Sequence, residues 1–317
     1  MNTGSTPTIG KTRFNRRASS LQNTSTKRKI RITPLDTTIL VVLAGMFGFI
    51  AYKAATGLNY HWNWAVIPQF LIRYDTEAQS WVPGLLMHGL FTTIRLSLWS
   101  GLFAIILGTF VGLMRVSPRL FRRQLATTYV GLIRNTPPLV LIFVFYFFVG
   151  DQIMTLLHVN EAIYALSPEA QEVLGWFFGP MSRFSQFLSA LVTLTLFEAA
   201  YIAEIVRAGI ESIESGQWEA ASGTGMSRTK AMMYVILPQA IQRMLPALAG
   251  QFISIIKDST IVSVISIEEL TFQAQQLMTT TYRSFEIWTL VLVMYFVLTF
   301  LCSMVVRKLE LTLQREP

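Results

Sequence analysis

The side chains of this sequence that could do chemistry stand inside hydrophobic runs. Glu198, Glu204 and Arg207 occupy one run, Arg134, Asn135 and Thr136 another, and Lys257, Asp258, Ser259 and Thr260 a third. An ionisable group within a bilayer costs at least ~2.5–3.5 kcal/mol on insertion scales, so each marks either a polar cavity or a charge that finds a partner. Glu198, Tyr201 and Ile205 lie at i, i+3 and i+7 and share one helical face. Glu198 is suited to a cation, while Lys257 and Arg134, with Ser259 and Thr260, are suited to an anion. The structural alternative is that Glu204 and Arg207, three residues apart, pair with each other, and that Lys257, Asp258 and Arg134 are charges buried between helices. No paired-carboxylate, Ser/His/Asp or metal-ligand constellation at usable spacing points to catalysis. His61, His88 and His158 are scattered, and the single cysteine, Cys302, lies in an apolar run.

The elements that must position these residues are membrane spans. With 317 residues, 52% hydrophobic and 14% charged, the chain is too apolar for a soluble protein of its size. Its patterning predicts an all-α membrane protein of about six transmembrane helices, at residues 35–52, 85–114, 128–149, 183–206, 244–265 and 285–306. The third is interrupted by Pro137-Pro138, a break that either kinks a helix or lines a pore. Residues 1–34 are basic and rich in Ser, Thr and Asn, the composition of a disordered cytoplasmic tail. The stretch 35–52 reads as an N-terminal anchor; the basic region before it is too long for a cleaved signal peptide. Residues 53–84 carry Tyr60, Trp62, Trp64, Tyr74 and Trp81 and are expected along the external membrane surface. The insert at 150–182 and residues 266–284, with Glu268 and Glu269, are also expected outside, and 309–317 form a cytoplasmic tail.

Charge distribution sets the orientation. The net charge is +8, and its Lys and Arg cluster beside the spans rather than on a folded basic face, which argues against nucleic acid as a partner. Nineteen Lys and Arg fall in segments assigned to the inside and four in those assigned to the outside, which places both termini in the cytoplasm. Gly4 to Thr12 (GSTPTIGKT) imitates a phosphate-binding loop, but five residues separate Gly4 from Gly10 where four are required, and no apolar strand precedes it. The chain itself therefore lacks the means to hydrolyse ATP.

Between the fourth and fifth spans lies a polar island, EAASGTGMSRTKAMMYVILP at 219–238. Residues 217–224 can form one short helix, ended by Gly225 at positive φ. Ser227 can cap a second helix over 228–237, where Pro238 interrupts the pattern. The order Glu219-Ala220-Ala221, Gly225, Leu237-Pro238 resembles the EAA loop of permease subunits in ATP-binding-cassette importers, with Val235 where that pattern prefers Ile. FEAAYIAEIVRAGIESIESGQWEAA at 197–221, RNTPPLV at 134–140 and KDSTIVSVISIEEL at 257–270 resemble the polar amino acid uptake branch.

That resemblance implies a type I importer core of five helices, residues 85–308, with one added anchor helix and a coupling loop at about 208–243. Glu219, Ala220, Ala221, Gly225, Leu237 and Pro238 would meet an ATPase subunit. It further implies a bacterial inner-membrane complex with a sister permease, two ATPase subunits and an external amino-acid-binding protein, set among membrane lipids. ATP and Mg would be used by the partner, with no cofactor on this chain. An amino acid needs a cation for its carboxylate and an acceptor for its ammonium. Glu198 and Tyr201, with Lys257, Asp258, Ser259, Thr260, Arg134, Asn135 and Thr136, would then line the solute path. A permease for another small solute, a passive channel and a membrane scaffold are the competing readings.

Overall fold

A computed structural model describes residues 33–57, 60–77 and 79–313. The chain divides into two units, residues 1–61 and 62–317. The first contributes helix α1, Pro34–Gly57, built from the anchor sequence. Its start is a reciprocal cap: Thr33 donates from its backbone N–H and hydroxyl to Asp36 Oδ2, each at 2.8 Å, and its hydroxyl accepts from the Asp36 N–H at 3.3 Å. The expected tail at 1–34 falls outside the described residues except for Thr33 and Pro34.

The second unit opens with α2, Pro68–Leu71, and a small antiparallel hairpin, β1 (Ile72–Asp75) with β2 (Ser80–Pro83). These strands were not expected in a helical protein. They form because Tyr74 and Trp81 sit opposite each other, ring centroids 5.5 Å apart, and aromatic cross-strand pairs hold a ladder together. Trp62 and Trp64 stack nearby in sequence at 5.9 Å.

Helix α3, Leu85–Arg115, is the first long span, and α4, Leu120–Asn135, follows. Here the expected span at 128–149 is corrected. Thr136 and Pro137 are extended, with ψ of 142° and 131°, and a new helix, α5 (Pro138–Leu156), starts at Pro138. A proline excludes its predecessor from helical geometry yet fits the first helical position, so the Pro137-Pro138 pair separates two helices rather than kinking one. The membrane-length run therefore extends to Leu156, into the region expected as an external insert. Short helices α6 (Val159–Tyr164) and α7 (Pro168–Phe178) complete that insert.

Helix α8, Phe184–Glu211, is the hub. Its apolar window is 67% buried, against 6% for the final span, so α8 is surrounded by protein while the last helix presents an apolar surface. It packs most closely along α3, where Gly108 and Gly112 clear the way. A Cβ at Gly108 would lie 2.7 Å from the Ile202 side chain, and one at Gly112 would lie 2.7 Å from Val206. Small residues four apart let two membrane helices approach to backbone contact, where dispersion and close packing replace the hydrophobic effect. Ala104, Ala199, Ile202, Val206 and Ile236 form the core around this contact.

After α8 come α9, Ser215–Gly223, and then α10, a continuous run over Arg228–Ile265. Pro238 does not end this run, contrary to expectation. A π turn at Met232–Ile236 precedes it, and the helix continues from Leu237 to Asp258 before tightening into a 3-10 segment. The π turn widens the ladder at the place where the proline ring would otherwise clash and its missing N–H would leave a gap. Residues 266–284, expected outside the membrane, hold α11 (Leu270–Thr281), and α12 (Ser284–Leu313) continues past Lys308 into the expected tail. Glu269 fixes α11: its carboxylate accepts from the Thr271 and Phe272 N–H groups at 2.8 and 2.9 Å, and from Tyr295 Oη of α12 at 2.7 Å. Thr93 of α3 adds a contact at 3.4 Å.

Candidate functional site

Two groups of residues follow from this framework. The first is the elbow between α9 and α10. Thr224 N–H donates to Ala220 O at 3.2 Å, Gly225 N–H to Ser222 O at 3.0 Å and Met226 N–H to Ala221 O at 3.2 Å, closing the end of α9. Gly225 takes φ +78°, the left-handed conformation that such a closure requires. Ser227 then caps α10, its hydroxyl accepting from Lys230 N–H at 3.5 Å. Ala221 is buried, whereas Glu219, Ala220, Gly225 and Pro238 are exposed and Leu237 is half-buried. The helix α9 packs on the π turn of α10. Gln239 donates to Gln217 at 3.1 Å, and Arg243 donates to the Ser212 carbonyl, so the elbow is fastened to the span that follows it. The Arg228 guanidinium stands 5.7 Å from the Trp218 ring centroid, and these two with Ser215, Glu219 and Ser222 line a shallow hollow. Tyr234 and Met233 project beside it, 73% and 61% exposed.

The second group is a charged seam along α8. Glu204 gathers three guanidiniums: Arg207 at 3.3 Å through Nε, Arg134 at 3.5 Å, and Arg115. Arg207 also reaches Glu211. The expected Glu204–Arg207 pair is present, but it belongs to a network that ties α8 to the ends of α3 and α4. Nothing in the sequence marks Arg115 for this network, because a basic residue at a span's end gives no hint of a distant acid.

Six residues earlier, Glu198 is fully buried. Gln251 Nε2 of α10 donates to its Oε2 at 2.8 Å, no described residue donates to Oε1, and the Asp258 carboxyl lies beside it. Gln251 was missed in the sequence although it lies seven residues from Asp258, on the same helical face. The other expected residues disperse. Arg134 stands over the Tyr201 ring, 6.0 Å to the centroid, and turns to Glu204 rather than to Glu198. Asn135 and Thr136 donate back to Gly131 O and Leu132 O of their own helix, each at 2.8 Å. Ser259 is buried and donates to Ile256 O, Thr260 is half-buried, and Lys257 is exposed rather than facing the seam. Its helical position, one residue from Asp258, points it about 100° away. The seam is thus acidic and amide-lined: Glu198, Asp258, Gln251 and Tyr201.

Residues 104–314 match the family described as "Binding-protein-dependent transport system inner membrane component". The chain belongs to that family. It is a multi-pass membrane component of a transport system, and among the described residues five helices are long and apolar enough to cross a membrane. Among family members, a probable glutamine ABC transporter permease protein, GlnM of Bacillus subtilis, is 33% identical over 72% of this chain and 93% of that relative. The glutamate/aspartate import permease protein GltJ of Escherichia coli is 29% identical over 80% and 95%. A crystal structure of an amino acid ABC transporter with histidines shares 34% identity, covers 71% of this chain and 92% of that one, and superposes with a TM-score of 0.57. An inward-facing methionine transporter, MetNI, has the same fold at 21% identity and a TM-score of 0.54.

Proposed function

We propose that this chain is the permease subunit of an ATP-driven importer for polar amino acids, working with a paired permease, two ATPase subunits and an external amino-acid-binding protein. Its work is conformational. The observation that carries this reading is the elbow: an exposed, capped helix-turn-helix, bearing Glu219 and Ala220 outward, fastened by Gln217 and Arg243 to the helix that also carries Asp258. Glu219 meets basic residues of the ATPase, Ala220 allows close approach, and Gly225 sets the angle between the two helices. ATP and Mg are bound by that partner. The acidic seam supports an amino acid as solute, with Glu198 and Asp258 receiving its ammonium and Gln251 a polar side chain. The names of the glutamine and glutamate/aspartate relatives point the same way. Both termini lie in the cytoplasm, in keeping with the excess of Lys and Arg in the inner segments.

Affinity purification of the chain from its native membrane tests this reading. An ATPase is expected to co-purify, and the reconstituted complex should hydrolyse ATP faster when binding protein carrying glutamine or glutamate is added. A chain that purifies without any nucleotide-hydrolysing subunit would overturn it.

A further inference from the structure

A second polar site lies at the opposite end of α3 and α8 from the elbow. A pocket of about 220 Å³ opens between the first turns of these helices, α11 and the link before it. Its polar lining includes His88, Thr92 and Arg95 of α3, Arg183, Glu268 and Gln273, with Gln186 and Ser266 at its edge. His88, Thr92 and Arg95 lie at i, i+4 and i+7 and form one stripe of α3. Arg183 is ion-paired with Glu268, whereas Arg95, half-buried, makes no ion pair among the described residues. Gln273 is 4% exposed, and its Oε1 is buried with no hydrogen-bond partner among the described residues. An uncompensated guanidinium and an orphaned amide oxygen in one pocket are both expensive unless something completes them. Phe187 supplies an apolar wall, which raises the strength of any charge contact made there.

We propose that this pocket is an outer receiving site for the solute, in which Arg95 takes the α-carboxylate of an amino acid and the Gln273 amide oxygen accepts from its ammonium. The assignment rests on the amino-acid reading above and adds a station to it. Gly108 and Gly112 of α3 lie against Ile202 and Val206 of α8, so Arg95 is level with Ser189, nine residues or roughly 14 Å outward of Glu198. The two sites are opposite in sign. A solute leaves its carboxylate partner at Arg95 to bring its ammonium to Glu198 and Asp258.

The test uses the whole complex in proteoliposomes, supplied with saturating binding protein carrying radiolabelled L-glutamine, and reads uptake and ATP hydrolysis together. Arg95→Gln and Gln273→Met are expected to cut uptake about tenfold or more while hydrolysis stays within about twofold. Arg95→Lys should recover part of the uptake, since it keeps the charge but loses the fork. Uptake falling in step with hydrolysis would make these residues packing or docking elements, and unchanged uptake in Arg95→Gln would leave the pocket to lipid or water. Either result overturns the proposal. If the wild-type complex took up no amino acid, the functional reading would fall first and the receiving site with it.

Discussion

Glu198 and Glu204 sit six residues apart on one helix and meet opposite surroundings. Glu204 is held by Arg115, Arg134 and Arg207, while Glu198 has an amide and a second acid beside it. The same residue type therefore locks helices at one position and leaves capacity for a cation at the other. Glu204→Gln should lower stability by about 1–3 kcal/mol, because it leaves Arg115 and Arg134 without an acid and Arg207 with Glu211 alone, and this would show as a lower melting temperature of the detergent-solubilised complex. Glu198→Gln keeps the shape and the Gln251 contact, so folding should survive while amino acid uptake drops at unchanged expression. Wild-type uptake in Glu198→Gln would remove that residue from the solute path. Glu269 makes a pH prediction. Burial pushes its carboxyl up to about 7 from 4.5 despite its four hydrogen-bond donors. The folded protein then binds a proton more tightly than the unfolded chain, so stability is highest below about pH 4.5 and falls as pH rises through about 7, by up to about 3 kcal/mol. Melting temperatures across that window should show the decline, and Glu269→Gln should flatten it.

The elements explain which parts of this could be read in advance. Hydropathy located the spans of α3, α8, α10 and α12 because twenty apolar residues have few other uses. It misplaced the third, since an apolar average is blind to the proline pair that parts α4 from α5. The elbow was legible because Gly225 and Ser227 act locally, through one backbone conformation and one cap. Lys257 misled for the reverse reason: a span assignment places a residue in depth but not in azimuth, and its neighbour Asp258 took the inner face. Gly225 has nothing within 4 Å of where a Cβ would stand, so its constraint is conformational rather than steric. Gly225→Ala should cost about 1–2 kcal/mol locally, and Gly225→Val more, loosening the angle of the elbow. The expected signature is ATP hydrolysis detached from uptake, with normal membrane insertion; normal uptake in Gly225→Val would count against a coupling role. Gly108→Leu attacks a different element. It forces α3 off Ile202 and Ala199, and about 1–3 kcal/mol of overpacking should appear as reduced yield of folded protein from detergent.

For the molecule as a whole the decisive property is sidedness. The elbow, the Glu204 network and the C-terminal ends of α3 and α8 lie together, while the Arg95 pocket lies at the far end of the same two helices. A membrane-impermeant maleimide can test which end is which. In a Cys302→Ala background, Ser222→Cys should react only after the membrane is opened, and Glu169→Cys from outside in intact cells; the reverse pattern would put the elbow out of reach of any cytosolic ATPase.

The unbroken course of α10 through Pro238 carries a mechanical corollary. From Arg228 to Asp258 it spans thirty residues, about 45 Å of helix. In the coupling proposed above, a motor gripping the elbow would hold one end of a rod whose other end bears an acid of the seam. The π turn at Met232–Ile236 is the joint in that rod, placed immediately past the handle. A push at that end would then need no chain of relayed side-chain movements to reach Glu198: it would arrive as a tilt of the strut on which Gln251 and Asp258 are mounted.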